Sequence, residues 1–254
     1  MNESQFFNFL LYLFGGMAAV VFILLFFVSA PYGRHSRPGR GARISNRLGW
    51  LLMEAPAAIL FFAYFLLSDR KTDLVPIFFL ILWQSHYLYR AFVYPFTLQK
   101  KRSMTLTVVL FALIFNIFNT YIQARWIFSL SPEMAYTIDW FKDFRFIIGA
   151  MMFYGGYALN WYADRLLRLL RQPGGAEYTI PKKGLFRLVS CPNYLGEIIQ
   201  WFGWAIALWA IPGLIFALWT VANLLPRARS HHLWYRDTFP DYPRERKALI
   251  PYIY

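Results

Sequence analysis

The sequence predicts an all-α, polytopic membrane protein with seven transmembrane helices, its N-terminus outside and its C-terminus in the cytoplasm. Three observations carry that prediction. Of 254 residues, 58% are hydrophobic and 15% charged, where a soluble domain carries about a quarter charged residues. The apolar residues gather in long, nearly uncharged runs, most of them near the roughly 20 residues a membrane helix needs. Most Lys and Arg fall in segments 31–47, 98–103, 165–194 and 227–254, between alternate apolar runs, and the positive-inside rule makes those segments cytoplasmic. The same placement assigns the net charge of +13 to topology rather than to nucleic acid.

The first run covers residues 6–29. Its V-S-A at 28–30 faintly resembles a signal-peptidase site, but the preceding M-N-E-S-Q lacks a basic residue and the run is long for a signal sequence. It reads as a retained helix. A basic loop follows, with Arg34, Arg37, Arg40, Arg43 and Arg47 among Gly, Pro and Ser. Further runs cover 48–67, 74–97, 104–126, 145–168, 195–211 and 213–226. The sixth is short for a span, and Ile211-Pro212-Gly213 reads as a tight hairpin between it and the seventh. The opposite side holds Arg70, Lys71, Arg125, Lys142 and Arg145. No internal repeat, low-complexity tract or soluble domain is evident, so residues 1–254 read as one membrane-embedded domain. The single Cys191 excludes an intrachain disulfide framework and a four-Cys zinc site.

Of thirteen carboxylates, only Glu54, Asp164 and Glu197 fall within or at the edge of an apolar run. Counting from Leu48 at 1.5 Å per residue puts Glu54 roughly 9 Å deep, and Tyr87 and Arg90, on a helix running the other way, come to comparable depth. Asn160 and Asp164 are one helical turn apart, with Arg171 on the same face. Asn193 and Glu197 repeat the one-turn spacing at the start of the sixth run, as do Arg227, His231 and Tyr235 after the seventh. Asn116, Asn119 and Gln123 form a polar stripe in the fourth. Each alone reads as interhelical hydrogen-bond glue. Collected in the cytoplasmic half, they point instead to a cavity open to the cytoplasm, with a polar, anionic ligand near its mouth and a less polar one deeper.

The sequence has no G-x-G-x-x-G fingerprint in the right context, no Walker motif and no H-E-x-x-H. His231 and His232 are adjacent, and neighbours on a helix point about 100° apart, so no metal site is expected. Arg171, Arg227 and Arg90 have the geometry to pair with phosphates.

The chain resembles the steroid 5-alpha-reductases over most of its length. The resemblance rests on N-W-Y-A-D at 160–164, L-R-Q-P-G at 170–174, Y-T-I-P-K-K-G-L-F at 178–186, N-Y-L-G-E-I-I-Q-W at 193–201, R-A-R-S-H-H at 227–232 and D-Y-P-R-E-R-K-A-L-I-P-Y-I-Y at 241–254. The first half adds P-Y-G-R-H at 31–35, W-L-L-M-E at 50–54 and H-Y-L-Y-R-A-F-V-Y at 86–94. Sterol reductases and isoprenylcysteine methyltransferases resemble only the C-terminal region. The resemblance implies NADPH as cofactor, in a site lined by Asn160, Asp164, Arg171, Tyr178, Asn193, Glu197, Arg227, His231 and Tyr235 with Arg90 nearby. It also implies Glu54 and Tyr87 as catalytic pair and Trp50 as a wall of the steroid pocket; Met53 and Asn116 complete the expected substrate contacts. Residues 1–130 would then hold mainly the substrate pocket and 140–254 mainly the cofactor region. Two departures matter. Met53 stands where the vertebrate type 2 enzyme has Gln, and Leu98-Gln99-Lys100-Lys101-Arg102 replaces the family's Asn-Arg-Gly-Arg stretch.

The implied reaction adds hydride to the β-carbon of a 3-oxo-4-ene steroid while negative charge develops on the carbonyl oxygen. Hydrogen-bond donors aimed at that oxygen in a dry site stabilise the enolate. Tyr87 can donate. Glu54 can donate only when protonated, which is also the form cheaper to bury in a bilayer. The expected partners are a hydrophobic steroid-like substrate and the lipid bilayer of the endoplasmic reticulum or a bacterial inner membrane, with no nucleic acid and no obligate protein partner. A reductase of another lipid double bond would share the cofactor half and differ around Trp50 and Met53. A lipid methyltransferase would bind S-adenosylmethionine instead. A seven-helix receptor or transporter would bind no cofactor.

Overall fold

The structure is a computed structural model, and it describes residues 1–28, 41–98, 103–170 and 178–254. Arg171, Lys100, Lys101, Arg102 and the P-Y-G-R-H stretch lie outside the described residues. Among the described residues, seven α-helices follow the seven apolar runs: α1 Glu3–Phe27, α2 Asn46–Leu66, α3 Leu74–Leu88, α4 Leu106–Arg125, α5 Phe144–Leu169, α6 Pro192–Leu208 and α7 Ile211–Thr238. Two three-residue strands, β1 Arg43–Ser45 and β2 Ser103–Thr105, pair antiparallel. An all-α reading of the sequence does not anticipate them, because three residues carry no period.

By length and composition, four of the described helical stretches can cross a membrane: α1, α2, Leu106–Leu130 and α7. α3 and α6, of 15 and 17 residues, are shorter than the roughly 20 a perpendicular span requires. The lipid-compatible pattern is plain on α2. Leu48, Leu52, Ile59, Phe62 and Leu66 are exposed, while Gly49, Met53, Ala57, Ala58, Phe61 and Phe65 are buried. An apolar exterior of this kind gains nothing from water and suits a hydrocarbon surround.

The chain forms two compact units: residues 1–13 with 30–144, and residues 14–29 with 145–254. In the first, β1 and β2 lead directly into α2 and α4, and these two helices run in the same direction, since Asn116 meets Met53 and, farther along both, Ser68 meets Phe128. Their far ends are tied by polar groups. Ser68 Oγ donates to the Phe128 carbonyl, and Arg70 donates to the carbonyls of Ile127 and Ser131 and to Ser131 Oγ. Those carbonyls belong to or follow the π-helical turn Trp126–Leu130, whose backbone is left short of partners as the helix ends.

In the second unit, α5 and α6 pack backbone to backbone. A Cβ on Gly149 would sit 2.3 Å from the Ala207 nitrogen, on Gly156 2.4 Å from the Gln200 nitrogen, on Gly196 2.5 Å from the Asn160 nitrogen and on Gly203 2.4 Å from the Phe153 nitrogen. Two glycines seven residues apart on each helix make one continuous seam, since seven residues are close to two turns. The hairpin after α6 lies earlier than the sequence indicates. Trp209 takes the left-handed conformation at φ 48° and closes α6, and Ile211-Pro212-Gly213 is already the first turn of α7. Proline at that position is suited to a first turn, where its missing N–H would have no partner. α7 then continues far past the apolar run, through Pro226 to Thr238.

Candidate active site and cofactor cluster

In the first unit, α2 carries Trp50, Met53 and Glu54, and Pro56 follows inside the same helix. Proline has no N–H to give the carbonyl four residues back, that of Leu52. Here side chains of neighbouring helices reach α2 carbonyls. Asn116 Nδ2 donates to the Met53 carbonyl at 2.7 Å, Trp83 Nε1 to Ala57 at 3.0 Å and Gln84 Nε2 to Ala58 at 2.9 Å. Asn116 Nδ2 is also 3.2 Å from Glu54 Oε2. Of this group Met53, Asn116 and Tyr87 are buried, and Glu54 is half-buried.

Tyr87, on the last turn of α3, is held by aromatic packing. Its ring lies 4.6 Å from Trp83 and 4.9 Å from His86, and Trp83 in turn stacks on Phe61 at 4.5 Å and 9°. Such offset and edge contacts fix ring orientation as well as position. A π-helical turn, Tyr89–Val93, follows directly and carries Arg90. Turns of this type recur where a helix must re-aim a functional side chain. The Arg90 guanidinium lies 4.4 Å from the centroid of Trp50 and 4.7 Å from that of Tyr94. Trp50 thus faces a cation, an attraction between the guanidinium charge and the ring quadrupole.

In the second unit, the glycine seam brings Asn160 on α5 against the start of α6. Asn160 Nδ2 donates to the Asn193 carbonyl at 3.0 Å and to Glu197 Oε2 at 3.2 Å, and Asn193 Nδ2 donates to Asp164 Oδ1 at 3.0 Å. These four sequence-predicted residues form one hydrogen-bonded group. Arg227 and His231 on α7 meet at a residue the sequence reading did not single out. Arg227 Nε donates to Tyr194 Oη at 2.8 Å, and Tyr194 Oη is 3.0 Å from His231 Nε2. Tyr194 sits inside the N-Y-L-G-E motif beside Asn193, and that adjacency was the available signal. Tyr235 is buried one turn beyond His231 and stacks on Tyr242 at 5.2 Å and 10°. Tyr178 packs edge-on against Trp234 at 5.1 Å.

The start of α6 is anchored by the C-terminal segment. Ser190 and Cys191 donate backbone N–H groups to the Lys247 and Ala248 carbonyls, and Lys247 N–H returns one to Leu188. Ser190 Oγ adds contacts of 2.7 Å to His232 Nδ1 and to Tyr242 Oη. Ser190 and Tyr242 are both buried. The long C-terminal motif therefore holds in place the turn that presents Asn193.

The family described as 3-oxo-5-alpha-steroid 4-dehydrogenase matches residues 102–254. A steroid 5-alpha-reductase of Gossypium hirsutum is 42% identical over 245 residues, 94% of this chain and 93% of its own. The chain belongs to the 3-oxo-5-alpha-steroid 4-dehydrogenase family. The similarity reaches animals as well as plants. A 3-oxo-5-alpha-steroid 4-dehydrogenase 1 of Rattus norvegicus is 36% identical over 255 residues, covering all of this chain and 97% of the relative, and the Homo sapiens protein of that name is 37% identical over 225 residues, 88% and 86%. Family membership makes the chain an oxidoreductase, and its apolar helices fit a membrane enzyme.

The donor set of the second unit suits a dinucleotide. Asp164 and Glu197 can accept from ribose hydroxyls, the Asn160 and Asn193 amides can pair with a carboxamide, and Arg227 carries a charge that phosphate requires. All of these groups come from three helices packed within one unit.

Proposed function

We propose that the chain is an NADPH-dependent reductase of the 4,5 double bond of 3-oxo-4-ene steroids, giving 5-alpha products. The observation that carries this reading is the convergence of family motif positions from separate stretches. Asn160 and Asp164 on α5 meet Asn193 and Glu197 on α6 through direct hydrogen bonds, and Arg227 and His231 on α7 meet at Tyr194, the neighbour of Asn193 on α6. In this reading NADPH is held by that group with Arg171, Tyr178, Tyr235 and Arg90, and it supplies the hydride. Residues 1–130 serve mainly the substrate and 140–254 mainly the cofactor. All seven helices cross the bilayer, with the cofactor site toward the cytoplasm.

The protein's own part in the chemistry is electrostatic. As the steroid β-carbon gains hydride, charge develops on the 3-oxo oxygen, and Tyr87 and protonated Glu54 donate hydrogen bonds to it. Trp50 and Met53 wall the substrate, and Arg90 over Trp50 fixes that ring. Apolar surroundings strengthen both donor contacts, because little water competes.

The test is NADPH oxidation by the purified full chain in detergent with testosterone or progesterone, beside Glu54→Gln and Tyr87→Phe. Products are identified by mass and retention against 5-alpha and 5-beta standards. The expected result is steroid-dependent turnover to the 5-alpha product, lost in both variants while NADPH binding persists. NADPH binding without steroid turnover would redirect the reading to another lipid enone. A folded preparation that binds no NADPH would refute it.

A further inference from the structure

Asn116 entered as a substrate contact, yet its amide is turned toward α2. The identity of its atoms is settled by chemistry. The Met53 carbonyl can only accept, so the group 2.7 Å from it must be the amide nitrogen. That same nitrogen is 3.2 Å from Glu54 Oε2. An amide NH₂ has two hydrogens and no acceptor capacity. With one hydrogen on Met53 and one on Oε2, this oxygen of Glu54 must be an acceptor.

We propose that Asn116 is a positioning residue that decides which oxygen of the Glu54 carboxyl carries the proton. This rests on the reading of Glu54 as a protonated donor. An O–H on Oε2 aimed at Asn116 would meet another donor, and the carbonyl oxygen of an acid is a stronger acceptor than its hydroxyl oxygen. The amide therefore favours the proton on Oε1, with Oε2 as the carbonyl oxygen of the acid. A carboxylic acid otherwise has two equivalent ways to place its proton, and only one can serve a fixed substrate oxygen. Asn116 removes that ambiguity and also blocks rotation of the carboxyl, because turning it would exchange the two oxygens against the amide.

The Met53 carbonyl anchors the Asn116 amide at 2.7 Å. That bond holds the amide still, so its second hydrogen points at Glu54. One carbonyl and one amide thereby orient the proposed catalytic proton.

The experiment uses the full chain in detergent and reads the infrared C=O stretch of protonated carboxyl groups, which is separate from the carboxylate bands. Loss of a band in Glu54→Gln assigns it to Glu54. In Asn116→Leu the assigned band should move to higher frequency, because its carbonyl oxygen loses a hydrogen bond, and Asn116→Ser should move it less. Steroid turnover should fall about 100-fold in kcat, the scale of a small misplacement of a reacting group, with KM and the NADPH dissociation constant little changed. A band lost in Glu54→Gln but unmoved in both Asn116 variants would overturn the proposal and leave the reading of Glu54 standing. Absence of any band assignable to Glu54 would overturn the protonated-donor reading and the proposal with it. Retained NADPH binding in Asn116→Ser guards against a simple folding defect.

Discussion

Replacing Gly156 by Ala tests whether the α5–α6 seam builds the proposed cofactor cluster. The new Cβ would stand 2.4 Å from the Gln200 nitrogen, 2.5 Å from the Gly196 carbonyl oxygen and 2.8 Å from Gln200 Cα. All three are backbone atoms, so no side chain can swing aside. Ordinary contact is about 3.5 Å, and the helices must part by roughly 1 Å. Asn160 lies one turn farther along, and its bonds of 3.0 Å to Asn193 and 3.2 Å to Glu197 would stretch to about 4 Å, outside hydrogen-bond range. Overpacking of this kind costs about 1–3 kcal/mol, partly offset by the roughly 1 kcal/mol that Ala gains over Gly in a helix. The lost bond to a carboxylate adds about 1.5–3 kcal/mol. The variant should therefore be less stable by about 2 kcal/mol or more, and NADPH affinity should fall at least about 10-fold, the equivalent of about 1.4 kcal/mol. Gly155→Ala is the control: nothing lies within 4 Å of its Cβ, so the same exchange should be neutral or mildly stabilising. The assay is unfolding in detergent, followed by NADPH titration on the intrinsic fluorescence. If Gly156→Ala matches Gly155→Ala in both stability and affinity, the seam does not position Asn160.

Three further outcomes are expected. Tyr194→Phe removes the hydroxyl shared by Arg227 Nε and His231 Nε2, and NADPH affinity should drop about 5- to 10-fold, in line with about 1 kcal/mol for a hydrogen bond, with little change in unfolding midpoint. Ser190→Ala deletes contacts to His232, Tyr242 and the Lys247 carbonyl in a buried setting; it should destabilise by about 1–3 kcal/mol in a denaturant titration and raise proteolysis of the C-terminal segment. Trp83→Phe loses the donor to the Ala57 carbonyl and alters the stack on Tyr87. Steady-state assays should then show lower kcat with an unchanged NADPH dissociation constant, whereas an unchanged kcat would contradict the role of the Trp83 ring in holding Tyr87.

Helix positions were legible because apolar runs of membrane-crossing length have few alternatives, and the seven helices sit on the seven runs. Their ends were less legible. α7 outruns its apolar stretch by a dozen residues because its C-terminal half is held by packing of Ala228, His231 and Tyr235 rather than by hydropathy. The loop after α6 was misplaced by a few residues, since a Pro-Gly pair marks equally well a turn and the first turn of a helix. The π-helical turn at Arg90 has no signature in single-residue propensity.

The sequence by itself determined the class, the helices and the polar residues proposed for the site, because charge in an apolar run is costly and one-turn spacings place groups on one face. Which groups meet was decided only by the tertiary structure. Asn160 reaches Glu197 because four glycines let two backbones touch, and no local pattern encodes how two distant helices align. Asn116 reaches Met53 and Glu54 because α2 and α4 pack side by side in the same direction. Tyr194 joins Arg227 to His231 through an oxygen that only the packing of α6 against α7 brings into reach. Local sequence fixes where a side chain sits on its own helix; contact between helices depends on how close their backbones come, and here small residues set that distance.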